Sequence, residues 1–163
     1  DRRKSGNVIC RDRGEAVIVD WGLAQRFESQ CTINSEADSG MIVGTPQYMA
    51  PEQVERRESQ ASDIFSLGGT LYEVLTGRPP YRWNVDFLKP DWDDTVCQAR
   101  IAPPRRLVSS TPRQLDAICM KALAKQAGDR HRAAADLAAD LRQYLASDQQ
   151  ATGWLTRLRM CFG

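Results

Sequence analysis

Residues 62–80, "SDIFSLGGTLYEVLTGRPP", constrain the fold of this chain more than any other stretch. Ser62 is the predicted N-cap of a helix, Asp63 lies near its positive end, and Gly77 followed by two prolines ends it. The apolar side chains recur three or four positions apart, as on a helix that buries one face: Ile64, Leu67, Leu71, Val74 and Leu75. We therefore predict one long amphipathic helix here.

The part of the chain that precedes this helix has a different pattern. Two short apolar runs, 7–10 and 16–19, flank "RDRGE", in which Asp12 and Gly14 favour a turn, so a β-hairpin is predicted. Residues 24–44 are polar and show no sustained period, which predicts a long loop.

The part that follows is again helical in pattern. We expect residues 87–106 to be irregular apart from one helix around 95–99. "RQLDAICMKALAK" and "AAADLAADLRQYLA" then carry apolar residues at helical spacing: Leu115, Ile118, Ala122, Leu123, Leu137, Leu141, Tyr144 and Leu145. A hairpin, a loop and several helices in this order predict an α+β domain, or a piece of one.

Composition narrows the possible classes of protein. The chain has 163 residues, 42% hydrophobic and 26% charged, which suits one globular domain. A net charge of +1 gives no reason to expect nucleic acid as a partner. Five scattered cysteines without a CxxC pair argue against disulfides or zinc and favour a reducing, cytoplasmic compartment. No apolar run is long enough to span a bilayer, and the start at Asp1 suggests a cut from something longer.

An acidic residue follows the second predicted strand, in "EAVIVDWGLAQ". Asp20 is well suited to bind Mg²⁺, which prefers carboxylate and phosphate oxygens. The alternative is that Asp20 is an ordinary turn residue beside Gly22. Taken alone, the triplet favours the turn interpretation and is weak evidence for a metal ligand.

Three motifs in a fixed order carry a family resemblance. "VDWGLA" is followed by "GTPQYMAPEQ" and then by the predicted helix that contains Asp63. This order resembles the C-terminal lobe of eukaryotic-like protein kinases, and more closely their bacterial serine/threonine branch. "VDWGLA" is similar to the metal-binding DFG segment, with Trp21 in place of the usual phenylalanine and Gly22 as its glycine. Trp21 is equally compatible with a simple core position.

The resemblance implies an ATP-dependent site. Asp20 and Asn7 would hold the magnesium ions at the ATP phosphates, and Lys4 would contact the γ-phosphate and the catalytic acid. Thr45 would brace the catalytic aspartate and shape the pocket for a serine or threonine of a protein substrate. Taken alone, Lys4 is also an ordinary surface lysine.

Other residues would have structural or regulatory roles. Glu52 would form a buried ion pair with Arg130, and Asp63 would accept hydrogen bonds from the catalytic-loop backbone, unless it is only a helix-start acid. The hydroxyls of the polar loop are candidate phosphorylation sites: Ser29, Thr32, Ser35 and Ser39.

The catalytic loop departs from the family pattern His-Arg-Asp-Leu-Lys-Pro-x-Asn. The chain opens "DRRKSGN", and counting back from Asn7 with Lys4 in place puts Arg2 at the position of the catalytic aspartate. Asp1 takes that position only with a one-residue insertion. An arginine cannot accept the proton of the substrate hydroxyl.

The family's glycine-rich loop and strand lysine have no counterpart in the chain. The implied fold is thus an α+β, protein-kinase-like C-terminal lobe, mostly helical with a small β-hairpin, whose ATP-binding N-terminal lobe is absent. Without that lobe, we expect these residues alone to be inactive.

The predicted partial kinase domain spans 1–146, and 147–163 form a tail of unknown role. Within the domain, the catalytic-loop remnant (1–7), hairpin (8–19), activation segment (20–52) and helical subdomain (53–146) follow one another. One hypothesis is a serine/threonine kinase whose parent protein, with or without a membrane anchor, uses ATP and Mg²⁺. The other is a non-catalytic, kinase-like module that binds proteins. An unrelated α+β domain is the third, which the ordered motifs disfavour.

Overall fold

A computed structural model describes residues 8–10, 16–19, 45–81 and 96–147. Strands β1 (Val8–Cys10) and β2 (Ala16–Ile18) pair antiparallel, with Val8 opposite Ile18 and Cys10 opposite Ala16. This pairing agrees with the hairpin that the two apolar runs predict. In this register, the end of β1 nearest Asn7 in the chain lies beside the end of β2 nearest Asp20.

Most of the other described residues are helical. A short 3-10 turn, Pro46–Tyr48, precedes α1 (Pro51–Val54) and the long helix α2 (Gln60–Thr76). Residues 96–98 are helical, as predicted for this region. Helices α3 (Pro104–Leu107), α4 (Arg113–Ala122) and α5 (Ala134–Ser147) complete the described chain, with a second 3-10 turn, Ala127–Asp129, between α4 and α5.

Helix α2 begins three residues earlier than the sequence suggests. Its N-cap is Ser59, and the prediction of Ser62 as the N-cap is wrong. The hydroxyl of Ser62 instead accepts a hydrogen bond from the backbone N–H of Ser59 at 3.1 Å, which satisfies a donor that the helix leaves open at its start. Gly77 ends the helix as predicted, with φ of +74°, a conformation that glycine adopts without steric cost.

The core lies around α2, whose buried face contacts α4 and, through fewer residues, α5. Gly68 of α2 faces α4 so closely that a methyl group on it would lie 2.8 Å from Cβ of Ala122. Ile64 and Phe65 of α2 are almost fully buried. On α5, Leu137 and Tyr144 are buried as their spacing predicts, whereas Leu145 is 48% exposed, contrary to the pattern.

Two side chains join the later elements. Asp116 of α4 accepts a hydrogen bond from the backbone N–H of Arg105 in α3 at 2.8 Å. His131, buried between the second 3-10 turn and α5, contacts Asp140 of α5 with 3.0 Å between Nε2 and Oδ2. Among residues 45–81 and 96–147 and the two strands, no helix is long and apolar enough to cross a membrane.

Candidate functional site

The predicted site residues fall into two groups. Asp1, Lys4, Asn7, Asp20 and Gly22 lie outside the described residues, as do Arg2, Trp21, the four hydroxyl residues of the polar loop and the tail beyond 147. Thr45, Glu52, Asp63 and Arg130 are described. These four and their contacts define the part of the candidate site that has known geometry.

Thr45 opens a segment, residues 45–54, that lies against α2. Its side chain is exposed and its backbone extended, and its carbonyl accepts the N–H of Tyr48 at 3.0 Å. Met49 and Ala50 are buried, which fixes the middle of the segment on the core. The side chain of Gln53 then accepts the N–H of Ala50 at 2.9 Å at the start of α1. Both buried apolar side chains and hydrogen bonds therefore hold the segment in place.

Glu52 and Arg130 form a two-point ion pair. Nη1 of Arg130 lies 2.6 Å from Oε1 of Glu52, and Nη2 lies 2.8 Å from Oε2. The Arg130 side chain is 0% exposed and the Glu52 side chain 14%. Such a paired geometry matches the planar guanidinium to the carboxylate and is among the stronger charged contacts in proteins.

Every N–H of the Arg130 guanidinium has an acceptor, which explains how so buried a charge is tolerated. The carbonyl of Ala61 accepts from Nη1 at 2.7 Å, that of Lys125 from Nη2 at 3.0 Å, and that of Ala124 from Nε at 2.8 Å. The guanidinium carbon also lies 5.0 Å from the centre of the Phe65 ring, within the range of a cation–π contact. Arg130 thus joins α1, the start of α2 and the turn after α4.

Several opposing effects act on the pKa of the Glu52 carboxyl. Burial by itself raises the pKa of the carboxyl, but hydrogen bonds from Arg130, from the backbone and from Ser62, with the positive charge of Arg130, bring the pKa below its ordinary value of 4.5. The Ser62 hydroxyl donates to Oε1 at 2.8 Å. The ionised form of Glu52 is therefore the one that the fold stabilises.

Asp63 stands next to this network, in the first turn of α2. Its side chain reaches the surface, yet the surrounding atoms remove enough water to raise the pKa of the carboxyl. Its carboxylate forms no hydrogen bond to any other described residue. The predicted contact with the catalytic-loop backbone involves residues 1–7, which lie outside the described residues.

The sequence did not predict the contact between Tyr48 and Glu73. The hydroxyl of Tyr48 donates a hydrogen bond to Oε2 of Glu73, in the last turns of α2, at 2.6 Å. Burial, followed by the hydrogen bond and the negative charge of Glu73, raises the pKa of the Tyr48 hydroxyl. A carboxylate near the end of α2, beside apolar neighbours, was the available signal, although nothing in the sequence points from it to Tyr48.

The candidate ligands for a cofactor are oxygen atoms. Asp20 offers a carboxylate and Asn7 an amide oxygen, the donor types that Mg²⁺ prefers. In the described part of the chain, no three His, Cys, Asp or Glu side chains come together as a metal site. In the described part of the chain, residues 45–54 are held on α2 by hydrogen bonds and buried side chains, and form a surface, the platform, with Thr45 exposed at its edge.

Comparisons with known proteins agree with one another. The family model described as "Protein kinase domain" matches residues 3–140. The serine/threonine-protein kinase PknB of Mycolicibacterium smegmatis is 35% identical over 139 residues, which are 85% of this chain and 21% of that protein. PknB of Mycobacterium tuberculosis strain H37Rv is 33% identical over 143 residues, again 85% of this chain and 21% of the relative.

A third relative, the probable serine/threonine-protein kinase PknB of Bifidobacterium longum, is 31% identical over 149 residues, 87% of this chain and 20% of its own length. The chain therefore spans about a fifth of the length of the curated relatives that it matches.

Proposed function

Because the chain belongs to the protein kinase family, whose model covers residues 3–140, we propose that it forms the C-terminal lobe of a serine/threonine kinase domain. The proposed activity is transfer of the γ-phosphate of ATP to serine and threonine hydroxyls of a protein substrate. The observation that carries the proposal is the Glu52–Arg130 pair, which holds residues 45–54, with their "PEQ" motif, on the helical body.

Asp20 and Asn7 are the proposed magnesium ligands. The antiparallel register supports this assignment, because Val8 pairs with Ile18, Asn7 directly precedes Val8 in the chain, and Asp20 follows Ile18 by two residues. Asp20 and Asn7 would hold Mg²⁺, and the ion would supply positive charge that offsets the negative charge of the phosphoryl oxygens. Lys4 would contact the γ-phosphate and the catalytic acid.

Residues 45–54 would receive the substrate. Thr45 presents an exposed hydroxyl at the edge of the platform, where it would brace the catalytic acid and contact the acceptor serine or threonine. Phosphoryl transfer depends on positioning and electrostatic stabilisation more than on covalent chemistry by the protein. A segment fixed by an ion pair and by buried residues is suited to that requirement.

The proton of the acceptor hydroxyl needs a base. Asp1 is the proposed base in the enzyme hypothesis, whereas an ungapped alignment puts Arg2 in its place. An arginine in that position would leave the platform intact and would lower the rate of transfer by roughly 10²–10⁴-fold. This is the specific observation that favours the second candidate function, a kinase-like module that binds protein partners without catalysis.

The bare chain is proposed to be inactive, because it has no counterpart of the glycine-rich loop and strand lysine that hold the ATP phosphates in the family. We propose a cytoplasmic location for this activity, which the scattered cysteines and the need for ATP support, whether or not the whole protein carries a membrane anchor.

A hybrid kinase tests both candidates. It joins the ATP-binding lobe of the M. smegmatis relative to residues 1–163 of this chain, and the relative's own complete kinase domain is the positive control. We expect the hybrid to label serine- and threonine-containing peptides from radioactive ATP, and not tyrosine-containing ones.

Two variants then identify the base. If Asp1 is the base, Asp1→Asn abolishes labelling and Arg2→Asp changes it little. If Arg2 occupies the position, the unmodified hybrid binds MgATP without labelling, and Arg2→Asp restores labelling. A folded hybrid that neither binds MgATP nor labels a peptide in any of these forms contradicts the kinase proposal.

A further inference from the structure

Helix α5 carries an apolar stripe that the described elements leave partly open. Ala134, Ala138, Leu141 and Leu145 recur at intervals of three or four residues, which places them on one face of the helix. Ala138 and Leu141 are half-buried, Ala134 is exposed, and Leu145 is 48% exposed. We call these four residues the α5 stripe. The part of it that contains Leu145 has no apolar cover among the described residues.

The α5 stripe is uncharged. The two acids of the helix, Asp136 and Asp140, stand at other positions and have partners of their own. Asp136 accepts the backbone N–H of Ala133 at 3.2 Å, and Asp140 contacts His131. Because no side chain of the stripe can bind an ion or a charged headgroup, the partner that suits it is an apolar one.

The chain supplies apolar side chains directly after α5. The helix ends at Ser147, and residues 148–153, "DQQATG", form a polar stretch as short as many connections between packed helices. Large apolar residues then stand close together, with two arginines between them, and neither the proposed site nor the proposed activity uses them. They are Trp154, Leu155, Leu158, Met160 and Phe162.

Segment 154–162 is long enough to reach the stripe. Leu145 lies two residues before the end of α5, and Ala134 lies about 16 Å further back along the helix axis, at 1.5 Å per residue. A segment of this length spans about 13 Å as a helix and up to about 30 Å when extended. Because the connection is short, the entropic cost of closing the loop is small.

A second copy of the chain and a membrane suit the stripe less well. A stable protein–protein interface buries about 800 Å² on each side, from roughly 20–30 residues, whereas the stripe is one line of alanines and leucines. A membrane surface is bound by basic as well as apolar side chains, and the stripe has no basic one. A segment of the same chain needs less area, because the covalent link removes most of the association cost.

We propose that segment 154–162 docks on the α5 stripe of its own chain and covers Leu141 and Leu145. Its apolar side chains would pack on the stripe, while Arg157 and Arg159 would stay in water. The family model matches residues 3–140, so the covered leucines and the docking segment lie beyond the matched part of the chain. The proposal does not depend on phosphoryl transfer.

The first test places a photoreactive benzoylphenylalanine at position 145 of the purified chain. Irradiation should join it to a peptide from segment 154–162, and a mixture of ¹⁵N-labelled and unlabelled chains should give adducts within single molecules. Position 143 is the matched control, because Gln143 is exposed and close in sequence but points about 160° away from Leu145. At position 143 we expect at least about fivefold less of this adduct, because the side chain points away from the stripe.

The second test measures amide hydrogen exchange at residues 143–147. Leu145→Gln, and separately Leu155→Gln with Leu158→Gln, should each speed exchange by roughly threefold to tenfold through loss of apolar cover. Glutamine has nearly the helix propensity of leucine, so the substitution at position 145 reports the contact and not the helix. Combining all three substitutions should speed exchange no further than the larger effect, because the two sides form one contact.

Arg157→Gln with Arg159→Gln is the control within the docking segment. It removes two charges and keeps every apolar side chain, so exchange at residues 143–147 should be unchanged. Exchange in α4 should be unchanged in all variants, because the core does not depend on the segment.

Adducts that form only between molecules would show that a second copy covers the stripe, and they overturn the proposal. So do the lack of any adduct from position 145, which a membrane or a separate partner as the occupant would give, and equal yields from positions 143 and 145. Exchange within about twofold of the unmodified chain in both leucine variants overturns it as well. If exchange in α4 shows that residues 1–163 do not fold alone, the same two measurements in the hybrid kinase decide the question, whether or not the hybrid labels a peptide.

Discussion

Arg130 and Glu52 lie 78 residues apart in the chain and meet in a two-point ion pair, with N–O distances of 2.6 and 2.8 Å. The contact fastens α1 to the turn after α4. Because three backbone carbonyls also accept hydrogen bonds from Arg130, the residue connects α1, the start of α2 and the turn after α4 through one buried charge.

Arg130→Met should lower the free energy of unfolding by about 3–5 kcal/mol, since it leaves the Glu52 carboxylate and three carbonyls without their partner. Arg130→Lys keeps the charge but not the planar fork and should give a smaller loss. Urea unfolding followed by circular dichroism measures both. Arg132→Met, at an exposed neighbour, is the matched control and should stay within about 0.5 kcal/mol. A loss at Arg130 no larger than at Arg132 would refute the role of the pair.

Stability should depend on pH through Glu52. The pKa of Glu52 is lower in the folded chain than its ordinary value of 4.5. The contribution of Glu52 to the free energy of unfolding is therefore fully present above pH 4.5 and is lost as the pH falls through the folded pKa. Urea midpoints of the unmodified chain and of Glu52→Gln, compared from pH 7 downwards, should differ most at neutral pH. The gap should close in the acid range below 4.5. A gap that stays constant into strong acid would contradict this assignment.

Gly68→Ala should destabilise the chain, although alanine is the better helix former by about 1 kcal/mol. The added methyl would lie 2.8 Å from Cβ and 3.2 Å from the backbone carbon of Ala122, so α2 and α4 must move apart. We expect a net loss of about 1–3 kcal/mol by urea unfolding. Gly128→Ala, with no atom within 4 Å of the new methyl, is the control and should change little. Adding Ala122→Gly to Gly68→Ala should recover part of the loss; equal or higher stability of Gly68→Ala would show that the helices do not pack this closely.

The Cys119 thiol should be protected from alkylation in the folded chain. It is fully buried, and this burial, with the nearby charge of Asp116, raises the pKa of the thiol to about 12. Thiolate is the reactive form, so iodoacetamide at pH 8 should leave Cys119 unmodified in buffer and label it in urea. Mass spectrometry of peptides reads out both conditions. Similar labelling rates with and without urea would mean that the core opens at α4.

The helices with strong periods were predictable from sequence, because a buried stripe requires apolar residues on one face. This holds for α4, where Leu115, Ile118 and Ala122 are buried as expected. Helix α2 is present as predicted, but of its predicted stripe only Ile64 and Leu75 are buried, and Phe65 and Tyr72 are buried in addition. The start of α2 was not predictable in the same way. Ser59 and Ser62 are both good N-caps by residue type, and the distant Glu52 carboxylate engages the hydroxyl of Ser62.

Some side-chain contacts could likewise be predicted from the sequence, and others could not. The pairing of Glu52 with Arg130 follows from the family resemblance, and the two side chains are in contact. The carbonyl partners of Arg130 and the Tyr48–Glu73 hydrogen bond depend on how the helices pack, and no local pattern encodes that. The exposure of Leu145 has a similar cause, because the described elements that pack against α5 leave its side of the last turn open.

The most direct test of the kinase assignment is magnesium-dependent transfer of labelled phosphate to a serine peptide by the hybrid kinase, compared with its Asp20→Ala variant. The account predicts labelling that requires Mg²⁺ and falls by at least about a hundredfold in Asp20→Ala, because this variant removes the carboxylate that would hold the metal. Chelation of Mg²⁺ should have the same effect on the unmodified hybrid. Labelling that is equal in Asp20→Ala and the unmodified hybrid would contradict the assignment of Asp20, and with it the proposed site.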